Sequence, residues 1–460
     1  MARHQPNPHL AALLNEAHWS PGELARAVNE LGAAQGLQLR YDRTSVAHWL
    51  TGSRPRPPIP VLVASALSRR SGRLVTEEET GLAQPQQDAV DPFPADGPEP
   101  GGVMDRLTAL ARADADPTRR ALLAGSAYDL AAATAPAWSP VPSAAARYGA
   151  AGSRAAGPRA ASGDVQRLLW MVHVFADLME RHGGAHARSA LTAYLAEDTS
   201  RLLAAPARPA LRRDLFTGAA QLTHLLARMS MDAGYPSLAQ HYFGTALGLA
   251  HEAGDRRLFA ITLRAMSLQA MFLGFHEHAR GLAEAAVDTA GPRTDRATRA
   301  FLLSQRALTH AHARQRHRAM SDLAAAETHH DRATGPPGPF TSYPRAGLDY
   351  QRGRTLLALG DTAPAAQALT VAAEARREDR HRSSALSRAR LADTLLTMGH
   401  LEESCTHWHV FLDHYPSLRS AAADQALRRL RGSLRGFRHQ PHAAAVLHRA
   451  RGLAFLPPNP

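Results

Sequence analysis

The chain has 460 residues, 45 % of them hydrophobic, which is enough to bury more than one core and points to two or three domains. Its net charge is +12, and all 53 of its basic residues are Arg, a balance compatible with a polyanionic partner. A single cysteine, Cys405, excludes an intrachain disulfide and a cysteine metal cluster and suits a reducing cytoplasm, and no run of eighteen apolar residues offers a membrane span.

From Pro8 to Leu82 the periodicity predicts a compact helical domain. Leu10, Leu13, Leu14 and Ala17 share one helical face. Ser20-Pro21-Gly22-Glu23 reads as a capping box with proline in the first turn, opening a helix that buries Leu24, Ala25, Val28 and Leu31. Asp42 is a good cap for another helix, with Val46, Trp49 and Leu50 turned inward and Gly52 ending it. A stiff basic connection, Arg54-Pro55-Arg56-Pro57-Pro58, leads to a last apolar helix from Ile59 to Leu67.

The segments Leu13–Ala25 and Ser45–Pro57 together resemble the helix-turn-helix domains of the Cro/C1 (phage-repressor) type. They show the acidic residue before Leu24-Ala25, a recognition helix, the glycine after it and the basic-proline link. Residues 32–40 make the connection between the two helices longer than in that family, so a lengthened helix or a small wing is expected there. The resemblance implies double-stranded DNA as partner. Arg43, Thr44, Ser45 and His48 are the residues that would meet base edges, because a helix entering the major groove by its N-terminal end offers its first turn and the next. Arg40, Arg54 and Arg56 flank that helix as phosphate anchors. Nine Arg against four acidic residues in 1–74 agree with such contact.

Gln84 to Gly102 holds five prolines, three glycines and four acids without a base, the composition of a tether. Residues 103–163 read as a helical connector followed by a loose link. Within it, Thr118–Gly125 imitates a twin-arginine export signal but reads as an amphipathic helix capped by Asp116, with Pro117 in its first turn.

Residues 164–460 form the largest unit. Between Ala220 and Pro416 one spacing recurs: a small residue, then packing positions twelve, sixteen and nineteen residues later. The sets are Ala227/Ala239/Phe243/Ala246, Ser267/Ala279/Ala283/Ala286, Ala307/Ala319/Leu323/Ala326, Gly353/Ala365/Leu369/Ala372 and Ala392/Ser404/Trp408/Phe411. Antiparallel helices that pack closely need small residues where their backbones approach. The pattern resembles the tetratricopeptide repeat, with units about forty residues apart in place of about thirty-four. That resemblance implies an all-α fold, in which the small helix-turn-helix domain is joined to a right-handed helical solenoid with a concave groove. Counted from the small residues, the groove-facing positions are Gln221, His224, Arg228, Arg264, Met271, Ser304, His312, Tyr350, Arg354 and Asp393. Their mixture of cations, polar donors and apolar surface suits a short peptide or a partner protein.

The combination resembles bacterial regulators that join these two modules, including receptors for short quorum-sensing peptides and relatives that control antibiotic production and development. It implies a cytoplasmic transcription factor, a homodimer through its repeats, and no enzyme. No phosphate-cradling glycine loop, nucleophile elbow or metal-ligating spacing stands in the chain, so no catalytic residue, metal or cofactor is expected. The alternative is an interaction scaffold built on the same repeats, whose small domain reads no DNA.

Overall fold

The computed structural model describes residues 6–34, 39–56, 59–71, 75, 77–82, 102–125, 128–129, 138–139, 159–336, 338–377 and 379–453. The fold is all-α: every regular element among these residues is helical. The acidic tether and most of the loose link expected from sequence lie outside them, as do residues 35–38.

Five helices make the head: α1 (Pro8–Glu16), α2 (Pro21–Ala34), α3 (Arg43–Leu50), α4 (Ile59–Ser71) and the single turn α5 (Glu77–Thr80). Leu10, Leu24, Val28, Val46, Trp49, Leu62 and Leu67 are buried together in its core. Both expected caps are present. Ser20 Oγ accepts from the Glu23 amide at 3.3 Å while the Glu23 carboxylate accepts from the Ser20 amide at 2.7 Å. Asn7 is the stitch that sequence reading misses. Its side chain caps α1 through the Leu10 amide (3.1 Å) and donates to the Thr80 carbonyl (2.9 Å), and its own amide donates to Leu50 O (2.9 Å), so one buried residue ties α1 to the ends of α3 and α5.

The array begins earlier in the chain than its repeats do. Helices α6 (Gly102–Ala115) and α7 (Pro117–Gly125) precede α8 (Ser162–His182) and α9 (Gly184–Tyr194). A π-helical turn, Leu195–Thr199, then leads into α10 (Ser200–Ala204). Asp116 caps α7 through the amides of Thr118 (2.8 Å) and Arg119 (3.1 Å), as its sequence suggests. Leu107 and Leu110 of α6 are fully buried in the same core as Leu222, Tyr242 and Leu263. Tyr128 stacks on Phe275 (5.6 Å between centroids), and Trp138 meets Phe259 edge to face (5.2 Å), so described residues of the connecting region also pack on the array.

Five helical hairpins follow. They are α11 (Pro209–Asp232) with α12 (Pro236–Ala253), α13 (Arg256–Leu273) with α14 (His276–Ala290), α15 (Arg296–His312) with α16 (Arg316–Asp331), α17 (Arg345–Leu359) with α18 (Thr362–Glu374), and α19 (His381–Thr397) with α20 (Leu401–His414). Two further helices, α21 (Ala421–Ser433) and α22 (Pro441–Arg451), complete the stack. Every residue of the five sequence sets is buried. The reason for small residues is visible at Gly353, where an added Cβ would come within 2.6 Å of Leu369. Ser267 and Ser404 use the same closeness differently, since their hydroxyls donate across the hairpin to Ala279 O (2.7 Å) and Ala392 O (2.8 Å).

Each hairpin turns seven residues after its small residue, and the chain there takes a left-handed conformation. Gly234, Gly274, Gly360 and Gly399 stand at four of these turns with φ between 84° and 89°. Arg314 stands at the remaining one, with φ 59°. A side chain in this region costs about 1–2 kcal/mol, against which glycine loses about 0.5–1 kcal/mol of backbone entropy. Arg314→Gly is therefore expected to stabilise the array by about 0.5–1 kcal/mol, read as a higher urea midpoint. An unchanged or lowered midpoint would mean that the turn carries no strain.

The stack curls until its first layer meets its last. The Arg419 amide donates to His182 O (2.7 Å) and the Ala185 amide to Arg419 O (3.0 Å). Gly183 between them has φ 83° and passes so near Arg419 that a Cβ would stand 2.5 Å from its carbonyl oxygen. At the seam Asp232, with no exposed side-chain surface, accepts from the Gly184 amide (2.8 Å), Arg382 (2.7 Å) and the Ser420 hydroxyl (3.0 Å). The first helices of the units consequently face a shared interior rather than a groove open along its length.

Candidate nucleic-acid interface and receptor interior

In the head, α3 is held at its start by two devices. Asp42 accepts from the Ser45 amide and hydroxyl, both at 2.8 Å, and its own amide is within 3.4 Å of Ser45 Oγ, a reciprocal cap. These bonds hold the Asp42 carboxyl below its ordinary pKa, so it stays ionised through the neutral range. Asn29 of α2 grips the preceding residue, donating to Tyr41 O (2.7 Å) and accepting from the Tyr41 amide (2.9 Å). The Tyr41 ring meets Trp49 edge to face at 5.1 Å, which locks the inner face of α3 to the core.

What α3 leaves outward is basic and polar. Arg40, Arg43, Thr44, His48, Arg54 and Arg56 are all exposed. None of these four arginine side chains makes an ion pair or hydrogen bond with another described residue. Ser45 differs from the rest of the sequence-derived set: it is half-buried and its hydroxyl is committed to the cap. The lengthened connection is absorbed at least partly by α2, which runs fourteen residues to Ala34, with Gly32 directly beneath Leu39. The Arg69 guanidinium of α4 lies against Gly274 at a hairpin turn of the array.

The second site is the interior of the array. Its centre is Tyr343 and Tyr350: Arg264 (α13) and Arg376 border Tyr343, while Arg354 (α17), Arg376, Arg382 and Arg390 (both α19) border Tyr350, and Arg228 (α11) adjoins Arg264 and Arg382. Arg264 lies over the Phe301 ring at 3.6 Å and donates to its carbonyl at 3.1 Å. Burial, with Arg228 and Arg354 adding repulsion, pushes its pKa down to about 10. Burial also lowers Arg228, Arg354 and Arg376. For Arg382 burial acts in the same direction but is outweighed by Asp232, which raises it above the ordinary range. Burial raises the Tyr350 phenol, yet Arg390 and Arg354, with a hydrogen bond from Arg390, outweigh it and lower its pKa.

His224 is buried beside this cluster, 3.0 Å from Thr262 Oγ1 and edge-on to Phe243 and Phe340. Burial first, then Arg228 and Arg264, hold it well below its ordinary pKa, so its imidazole is neutral at neutral pH.

Of the ten groove positions read from sequence, Arg228, Arg264, Tyr350 and Arg354 are thus brought together, with His224 against them. The others are placed differently. Gln221 and Met271 are buried in helix packing. Ser304 donates to Phe301 O (3.0 Å) and lies 3.2 Å from the Tyr343 hydroxyl. Asp393 is paired with Arg429 (3.1 Å), away from the centre. His312 is exposed overall, but its ring stacks on His276 (4.6 Å, 19°), and burial of that face together with His276 pushes it down to about 4. Sequence reading missed Arg376, Arg382, Arg390, Tyr343 and Glu180. Arg376 and Tyr343 stand in connections between hairpins, where counting along helices gives no register.

Among the described residues no helix is long and apolar enough to cross a membrane, and no group of three or more His, Cys, Asp or Glu is placed to hold a metal ion. No curated protein matches the chain. Residues 10–83, which span the head, match the family described as the SP15 N-terminal domain.

Proposed function

We propose that the chain is a sequence-specific DNA-binding regulator of transcription, cytoplasmic and acting as a homodimer, with the tetratricopeptide-like array as its dimerising and receiving part. The observation that supports this reading best is the set of exposed arginines around α3. The side chains of Arg40, Arg43, Arg54 and Arg56 have no partner among the described residues, whereas many arginines of the array are tied to carboxylates or carbonyls. A capped helix of eight residues presents Thr44 and His48 next to Arg43, a set that offers donors to base edges, and its N-terminal end favours phosphate. Two heads on a dimer suit a two-fold operator, and a peptide or partner protein in the array would act by preferring one arrangement of the heads.

Binding of the full chain to its best duplex tests the assignment. Arg43→Ala is expected to cost about 1–3 kcal/mol and to relax the preference for one sequence. Arg54→Ala should weaken all duplexes alike and reduce the salt-dependence slope by about one. Unchanged affinity and slope in both variants would remove α3 from the interface. Light scattering at the concentrations that bind DNA tests the dimer, and a monomer there would contradict it.

A further inference from the structure

The interior of the array is out of charge balance. Arg228, Arg264, Arg354, Arg376, Arg382 and Arg390 meet there, and the carboxylates within reach are already engaged. Asp232 is taken by Arg382, Gly184 and Ser420 at the seam. Glu180 lies 3.8 Å from Arg382 and accepts from the Ser383 hydroxyl, and Asp349 pairs with Arg345 at 3.1 Å. Guanidinium groups do not give up their protons in proteins, so this crowding is not relieved by titration. The Nε atoms of Arg376, Arg382 and Arg390 are buried without a hydrogen-bond acceptor among the described residues. The Arg228 side chain makes no hydrogen bond or ion pair with a described residue.

We propose that this interior binds a small ligand bearing clustered oxyanions, held by Arg228, Arg354 and Arg390 with the Tyr350 hydroxyl beside them. Planar forks of donors match carboxylate and phosphate oxygens in pairs, and the half-buried setting strengthens each contact over its worth in water. Arg228, Arg354 and Arg390 are half-buried on helices of the first hairpin, the fourth and the fifth, and α8 meets α19 across the seam. Because the donors come from both sides of that seam, an anion bound there favours the closed ring. The site belongs to the receiving half of the proposed function and is independent of whether the head reads DNA.

The test uses the full chain without DNA, so that the two readings fail separately, with inorganic pyrophosphate and citrate as probes at an ionic strength matched by sodium chloride. At least one probe is expected to raise Tm in a saturable way, and which one does so identifies the oxyanion as phosphate or carboxylate. Arg228→Gln and Arg354→Gln should each weaken that response at least tenfold. Without a probe Arg228→Gln should melt no lower than the parent, because it relieves repulsion, whereas a structural arginine would lower it. A head variant, Arg43→Ala with Arg54→Ala, should respond as the parent does. The proposal is overturned by no rise beyond the chloride control, by a response that survives both interior variants, or by one that disappears with the head variant.

Discussion

Replacing Asp232 by alanine is expected to destabilise the array by about 3–5 kcal/mol, the range for breaking a buried ion pair by removing one partner. The carboxylate has no exposed surface and accepts from three groups far apart in sequence: Gly184, Arg382 and Ser420. Among the described residues its removal leaves Arg382 with only the more distant Glu180, and it adds one more uncompensated charge to an interior already crowded with arginine. Because a stack of hairpins opens locally, the effect should concentrate at the seam. Amide exchange is expected to accelerate at Gly184, Ala185 and Arg419 and through α21, while α15 and α16 keep their protection. Small-angle scattering should report a larger radius of gyration. Parent-like exchange at the seam would show that the two layers are held by apolar packing alone.

The second large effect is expected at Asp114, which fastens α6 to the array. It accepts from Arg188 (2.7 Å), Thr192 (3.1 Å) and the Tyr242 hydroxyl (2.7 Å), and the ion pair is shut off from water, with side-chain exposures of 0 % and 5 %. Burial and the neighbouring carboxylate raise the Tyr242 phenol well above its ordinary pKa, so it stays a neutral donor at any working pH. Asp114→Ala strands Arg188 and should again cost about 3–5 kcal/mol, read from the urea midpoint. The double variant Asp114→Leu with Arg188→Met should recover much of that loss, because the expense lies in the unpaired charge more than in the lost bond. A double variant no better than the single one would contradict this account.

The hairpins were legible in the chain because their signal is local: within a unit, the small residue and its packing partners lie at most nineteen positions apart, so a fixed spacing records the contact. The turn glycines carry an equally local signal, at seven residues after the small residue, which the packing sets alone did not reveal. Arg314 interrupts it, and a search for glycine would have missed that turn. The seam had no such signature, since Asp232 and Ser420 are 188 residues apart and nothing in either neighbourhood marks the other. The same holds for Asp114 with Tyr242, 128 residues apart. In the interior, Arg228 and Arg354 were found because each directly follows the small residue of its unit. Arg376 and Tyr343 were not, because the connections that carry them follow no helical period. In the head, the hydrophobic faces, the Ser20–Glu23 capping box and the Asp42 cap were readable, but capping and base reading compete for Ser45, and the geometry gives its hydroxyl to Asp42.

The central claim is that the head distinguishes nucleotide sequences while the array receives something else. Sequencing the DNA recovered with the full chain from cells tests it most directly. The account predicts one motif with two related half-sites, blurred at single positions by Arg43→Ala. Even coverage of the genome with no shared motif would contradict it and leave the chain as an interaction scaffold.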